Sequence, residues 1–225
     1  MSSPPDHRFA PLPLWRAAGA FLETLFNLFG APERLAARHT ILGPEHKHIL
    51  NWLRCAEALM RRLLFIEASH YPKPNIRPLL YAKRARKRRT MEFWPDRPEQ
   101  WRVSFRVFPS SPAHSGGSAE RRSRKAKGPL APSDRFAISS SARGGDVTFH
   151  SAWPLAERFE ALLRVHNNPA PYARRLSRRL HARPHLAAVI VRAPHELQHR
   201  IAPAAHAEIE SLIEGRRRSL TPDTS

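Results

Sequence analysis

Residues 44–69 read PEHKHILNWLRCAEALMRRLLFIEAS, and at 100° per residue they make one long amphipathic helix. Ile49, Trp52, Leu53, Ala56, Leu59, Met60, Leu63 and Leu64 fall on one side, and Lys47, Asn51, Arg54, Glu57, Arg61 and Arg62 gather on the other. The apolar arc covers about half the circumference, wider than the ~100° stripe of an ordinary surface helix, so it should touch more than one partner. Gly43 serves as N-cap and Pro44 suits the first helical position, where a missing N–H costs nothing. Glu57 and Arg61 add an i,i+4 pair in the favourable order. The helix should stop before Tyr71-Pro72-Lys73-Pro74, because each proline removes a donor and restricts the residue before it.

Upstream, residues 1–11 read as a disordered lead-in. Leu14 to Phe29 repeats the helical pattern, with Leu14, Trp15, Ala18, Phe21, Leu22, Leu25, Phe26, Leu28 and Phe29 on one arc and Arg16, Glu23 and Asn27 opposite. Gly30 and Pro32 end it. A short helical turn over Glu33 to His39 joins the two amphipathic segments into an N-terminal helical hairpin, residues 12–71.

Downstream, residues 72–100 form a Pro/Arg-rich linker that carries Lys83, Arg84, Arg86, Lys87, Arg88 and Arg89, six cations in seven residues. Such a run repels itself, stays solvated and suits an electrostatic arm for nucleic acid. Trp101 to Phe108 alternates apolar with polar and predicts a strand with Trp101, Val103, Phe105 and Val107 on one face. Phe136–Ser139 and Val147–His150 are two further short strands flanking a turn at Arg143-Gly144-Gly145-Asp146. Residues 101–150 are therefore expected to hold a small antiparallel sheet, interrupted by a disordered basic loop at 109–132.

The last third, 151–218, reads as a C-terminal helical group before a disordered tail at 219–225. Ser151 can cap a helix through Pro154 to Val165, and Ala170 to His181 makes another whose faces separate sharply. Tyr172, Leu176 and Leu180 fill one side of it, while Arg174, Arg175, Arg178 and Arg179 fill the other. His185 to Arg192 is a short apolar run that periodicity leaves open between strand and buried helix. Pro194 and Pro203 begin two final helical pieces, the second ending in Arg216-Arg217-Arg218. The fold class expected is α+β, mainly helical.

The formal charge is +19, from 38 Lys+Arg against 19 Asp+Glu. That balance favours a polyanionic partner, nucleic acid or an anionic surface. Of the 38 cations, 32 are Arg and 6 are Lys, a bias that a GC-rich coding sequence produces too. Cys55, the single cysteine, has no partner for an intramolecular disulfide and no local support as a nucleophile. No stretch reaches ~18 apolar residues, and the N-terminal stretch lacks the pattern of a secretory signal, so the expected setting is cytoplasmic. No Gly-rich phosphate loop, Gly-x-Ser-x-Gly elbow or Cys-x-x-Cys pair is present.

One short motif points to an enzyme. His195-Glu196-Leu197-Gln198-His199 matches H-E-x-x-H and resembles the zincin metallopeptidases. That resemblance implies His195 and His199 as zinc ligands and Glu196 as general base. The match spans five residues of 225, and it departs from the family around them. Pro194 precedes the first His, and Ala202 and Ala205 stand where the metzincin form has Gly and its third His, with His206 one position late.

The reading these features favour is a non-enzymatic accessory protein that binds nucleic acid or a nucleoprotein, without a cofactor or metal. Its contacts would be the 83–89 arm and the 174–179 arginines, which position a protein on phosphates without reading bases. Two alternatives stand beside it, a zinc-dependent hydrolase and a protein-interaction scaffold whose Arg-rich segments only keep it soluble.

Overall fold

The computed structural model describes residues 8–72, 95–107 and 148–220. Helix α1 runs Leu12–Phe29, α2 Pro32–Ala37, α3 Gly43–Ala68, α4 Trp153–Asn167, α5 Ala170–Ala182, α6 Ala187–Ile190 and α7 Pro203–Leu220. Strands β1, Thr40–Leu42, and β2, Phe149–Ser151, form a two-stranded antiparallel ladder that pairs Thr40 with Ser151, Ile41 with His150 and Leu42 with Phe149. The fold is mainly helical α+β, as expected.

Helix α3 is the organiser. It packs against α1, α4, α5, α6 and α7. Its wide apolar arc reaches that many neighbours because, from Ala58 to Ala68, every side of it is covered. Trp15, Phe65 and Phe159, from α1, α3 and α4, are the largest fully buried side chains. Helix α1 turns Leu14, Trp15, Ala18, Phe21, Leu22 and Leu25 inward, but Phe26 and Leu28, expected on the same arc, are exposed and Phe29 is only partly buried, because the last turn of the helix runs past the core.

Full enclosure corrects one expectation. Arg61 and Arg62, assigned to a polar face, are 7% and 4% exposed. They enter the interior because partners meet them there. Arg62 donates from Nε to the Val191 carbonyl at 3.0 Å and forms an ion pair with Glu210 of α7. Arg61 lies 3.7 Å from Glu57.

The sheet also differs in its members. Residues 101–107 are extended and alternate as predicted, with Trp101, Phe105 and Val107 buried and Arg102, Ser104 and Arg106 exposed, yet they join no ladder. Alternation reports an environment with two sides, and here α-helices supply the inner one: Trp101 meets Trp153 at 4.6 Å and Phe105 meets Tyr172 edge-on at 6.4 Å. The partner of β2 is instead Thr40–Leu42, entered through His39 at φ +52°, a left-handed turn that ends the α2 segment. The strand expected at Phe136–Ser139, the 109–132 loop and the 83–89 run lie outside the described residues.

Gly43 closes this junction. Its N–H donates to the Thr148 carbonyl at 2.8 Å, and an added Cβ would fall under 3.0 Å from Thr148 Oγ1. Gly43→Ala should therefore lower stability by about 1–3 kcal/mol through overpacking. A thermal melt reads this, and adding Thr148→Ala should restore most of the loss; a single variant that melts with the wild type would show that the contact relaxes freely.

Among the described residues no helix is long and apolar enough to cross a membrane.

Candidate nucleic-acid interface

Helix α5 has a locked side and an open side. Ala173, Leu176, Ser177 and Leu180 are buried against the core, α3 being its main neighbour. That burial fixes the rotation of the helix, so Arg174, Arg175, Arg178 and Arg179 are all held out to solvent. Arg174 with Arg178 and Arg175 with Arg179 are i,i+4 pairs, which sets neighbouring stems about 5–6 Å apart. Among the described residues Arg175 and Arg178 have no carboxylate partner. Arg174 lies over the Tyr71 ring, 5.7 Å from its centroid. A row of like charges is unfavourable by itself, and an anion lying along it would relieve the repulsion.

Two further arginines lie on a segment that packs against α5. Arg102 and Arg106 are exposed on the extended segment that docks on α5 through Phe105 and Tyr172. The alternation that buries the aromatics puts these arginines on the outer face. Exposed Arg183 follows the end of α5. The chain also passes close to α5 where it leaves for the 83–89 run: the Tyr71 carbonyl oxygen lies 3.4 Å from His181 Nε2. The cations at the end of α7 divide differently, since Arg216 donates to His70 Nε2 at 2.6 Å and Arg217 and Arg218 lie near Glu214.

The zincin-like motif folds otherwise than the resemblance implies. His195–His199 is a 3-10 helix, which winds about 120° per residue, so positions i and i+4 do not share a face as they do on an α-helix. Pro194 directly precedes it and Pro203 opens the next helix. The two imidazoles still approach to 5.1 Å, but they flank the Gln198 side-chain amide, whose nitrogen lies 2.8 Å from His195 Nε2 and 3.1 Å from His199 Nε2. Leu197 is buried while Glu196 points to solvent. The other imidazole pair, His46 and His150, stacks at 4.4 Å. Burial lowers the His46 pKa, and the charges of His150 and Arg158 lower it further. Among the described residues no three His, Cys, Asp or Glu side chains come together as a metal site.

Cys55 sits in the interior, where Arg200 Nη1 donates to its Sγ at 3.3 Å. Burial pushes its thiol pKa up, against the opposing pull of Arg200, so it stays a protonated, weakly nucleophilic core group. Arg200 also covers the Trp52 ring at 4.2 Å, tying the 195–200 turn to α3.

Comparison with protein families, with characterised proteins and with solved structures found no match to this chain.

Proposed function

We propose that this chain is a non-enzymatic accessory protein that binds nucleic acid through arginine faces, mostly on the phosphates and largely without reading sequence. The observation that carries the reading is the α5 row: four arginines on the open side of a helix whose other side is locked into the core. Forked guanidinium groups on a rigid support suit phosphate oxygens, and such contacts fix position rather than specify bases. Exposed Arg102 and Arg106 add positive charge on the segment packed against α5, and the Lys83–Arg89 run adds an electrostatic arm by its sequence.

The test is the salt dependence of binding to duplex DNA and to single-stranded RNA. Replacing Arg174, Arg175, Arg178 and Arg179 together by Gln should flatten log Kd against log salt. The slope should fall by roughly 0.9 for each arginine that meets a duplex phosphate, and by about 0.7 on a single strand. The four Lys replacements should keep most of the slope, because charge is retained. An unchanged slope in the Gln variant would remove α5 from the contact.

A further inference from the structure

At the corner where α4 hands over to α5, the extended 101–107 segment and the ends of the two helices border an open cavity of about 480 Å3. Its volume lies in the ~300–1,000 Å3 range of small-ligand pockets. Ser104, Arg164, Asn167, Asn168, Tyr172 and Arg175 are among the residues that line it. No carboxylate lines it.

Each wall has a defined role. Arg164 is fixed from behind, with Nε donating to Glu160 at 2.7 Å and Nη2 to the Pro98 carbonyl at 2.6 Å. Glu160 offsets part of that charge, which leaves exposed Arg175 as the stronger pull on an anion. Tyr172 is half-buried and braced edge-on by Phe105, so its ring is a fixed apolar wall rather than a mobile one. Two side-chain amides and a hydroxyl both donate and accept, which is what the hydrogen-bonding edge of a nucleobase requires. Arg175 belongs at once to this cavity and to the α5 row, so an occupant with a phosphate at Arg175 leads directly onto Arg178 and Arg179.

We infer that the cavity takes one unpaired nucleotide of a single strand, base against Tyr172 and the two asparagines, phosphate at Arg175, with the strand continuing along α5. This rests on the nucleic-acid reading above and adds to it a preference for unpaired strands. A duplex keeps its bases stacked inside and can use only the arginine row.

The experiment compares the full chain with Asn168→Leu and Tyr172→Leu, neither of which removes a charge. Binding to an unpaired oligonucleotide, to a duplex of equal length and to a free nucleoside monophosphate is measured at one salt concentration, with a thermal melt of each variant. The wild type should favour the unpaired strand, and each variant should lose about ten-fold of that affinity, with duplex affinity and salt slope unchanged. Unpaired-strand affinity that survives both substitutions would overturn the inference, as would equal losses on duplex and strand. Binding of the free nucleotide that the variants abolish, with strand binding intact, would overturn it in favour of a nucleotide site. The proposed function is judged separately: if the α5 Gln variant still flattens the salt slope while the pocket variants change nothing, only the pocket falls. If the wild type binds neither nucleic acid, both fall.

Discussion

Glu67→Ala lowers the stability of the fold by about 3–5 kcal/mol, the size expected when buried donors lose the carboxylate that accepts from them. Glu67 is 2% exposed near the end of α3. Its carboxylate accepts from the Phe9 N–H at 2.9 Å, the Ala10 N–H at 3.1 Å and Trp15 Nε1 at 3.1 Å. Those donors belong to the segment entering α1 and to the first turn of α1, so one side chain ties the start of the described chain to its central helix. Ala10 and Trp15 are 2% and 1% exposed, so water cannot replace the carboxylate for either without local opening. Each stranded donor costs about 1–3 kcal/mol, against a total stability of about 5–15 kcal/mol for an ordinary domain. Glu67→Gln should fall between the two, since its oxygen still accepts while its NH2 faces donors. Urea unfolding followed by tryptophan fluorescence measures the loss. A change under about 1 kcal/mol for the alanine variant would mean that the entry segment is not held by this carboxylate.

Much of this architecture is legible in the sequence because helical periodicity is a property of one segment at a time. The arc of α5, that of α1 as far as Leu25, and the core-facing half of α3 follow from counting residues at 100°. What depends on a distant partner is not legible. Thr40–Leu42 is three residues long, too short for any alternation, and it is a strand only because Phe149–Ser151 lies beside it. Arg61 and Arg62 have the spacing of a solvated face, and only the arrival of α4, α6 and α7 makes their surroundings an interior. The five residues of the H-E-x-x-H motif are compatible with an α-helix by spacing, yet they fold as a 3-10 turn, a choice that spacing alone does not reveal. The arginines of α5 were legible as a face, and the structure adds what rotates and holds them. The neighbouring cavity was not, since the extended segment at 103–104 meets the α4–α5 corner at 164–175 only in the folded chain.

The charged cluster inside α3 supports an opposite pair of expectations. Glu57 accepts a fork from Arg158 of α4, at 2.6 Å from Nε and 2.9 Å from Nη2, and lies 3.7 Å from Arg61. Glu57→Ala should cost about 3–5 kcal/mol, because it leaves two guanidinium groups facing each other in a shielded place with no anion between them. Arg61→Met should cost less than about 1 kcal/mol or stabilise the protein. Arg61 Nε finds no acceptor among the described residues, and burial depresses the pKa of this guanidinium even though Glu57 pulls it up. A methionine would keep much of the side-chain volume and the apolar contacts, and would leave the Glu57–Arg158 fork intact. In the double variant the Arg61 change should recover part of the Glu57 loss, so the two effects should fail to add. Chemical denaturation of the three variants decides the matter: if Arg61→Met alone costs more than about 2 kcal/mol, the buried guanidinium is a net support of α3, and the cluster stabilises through both arginines rather than through the fork alone.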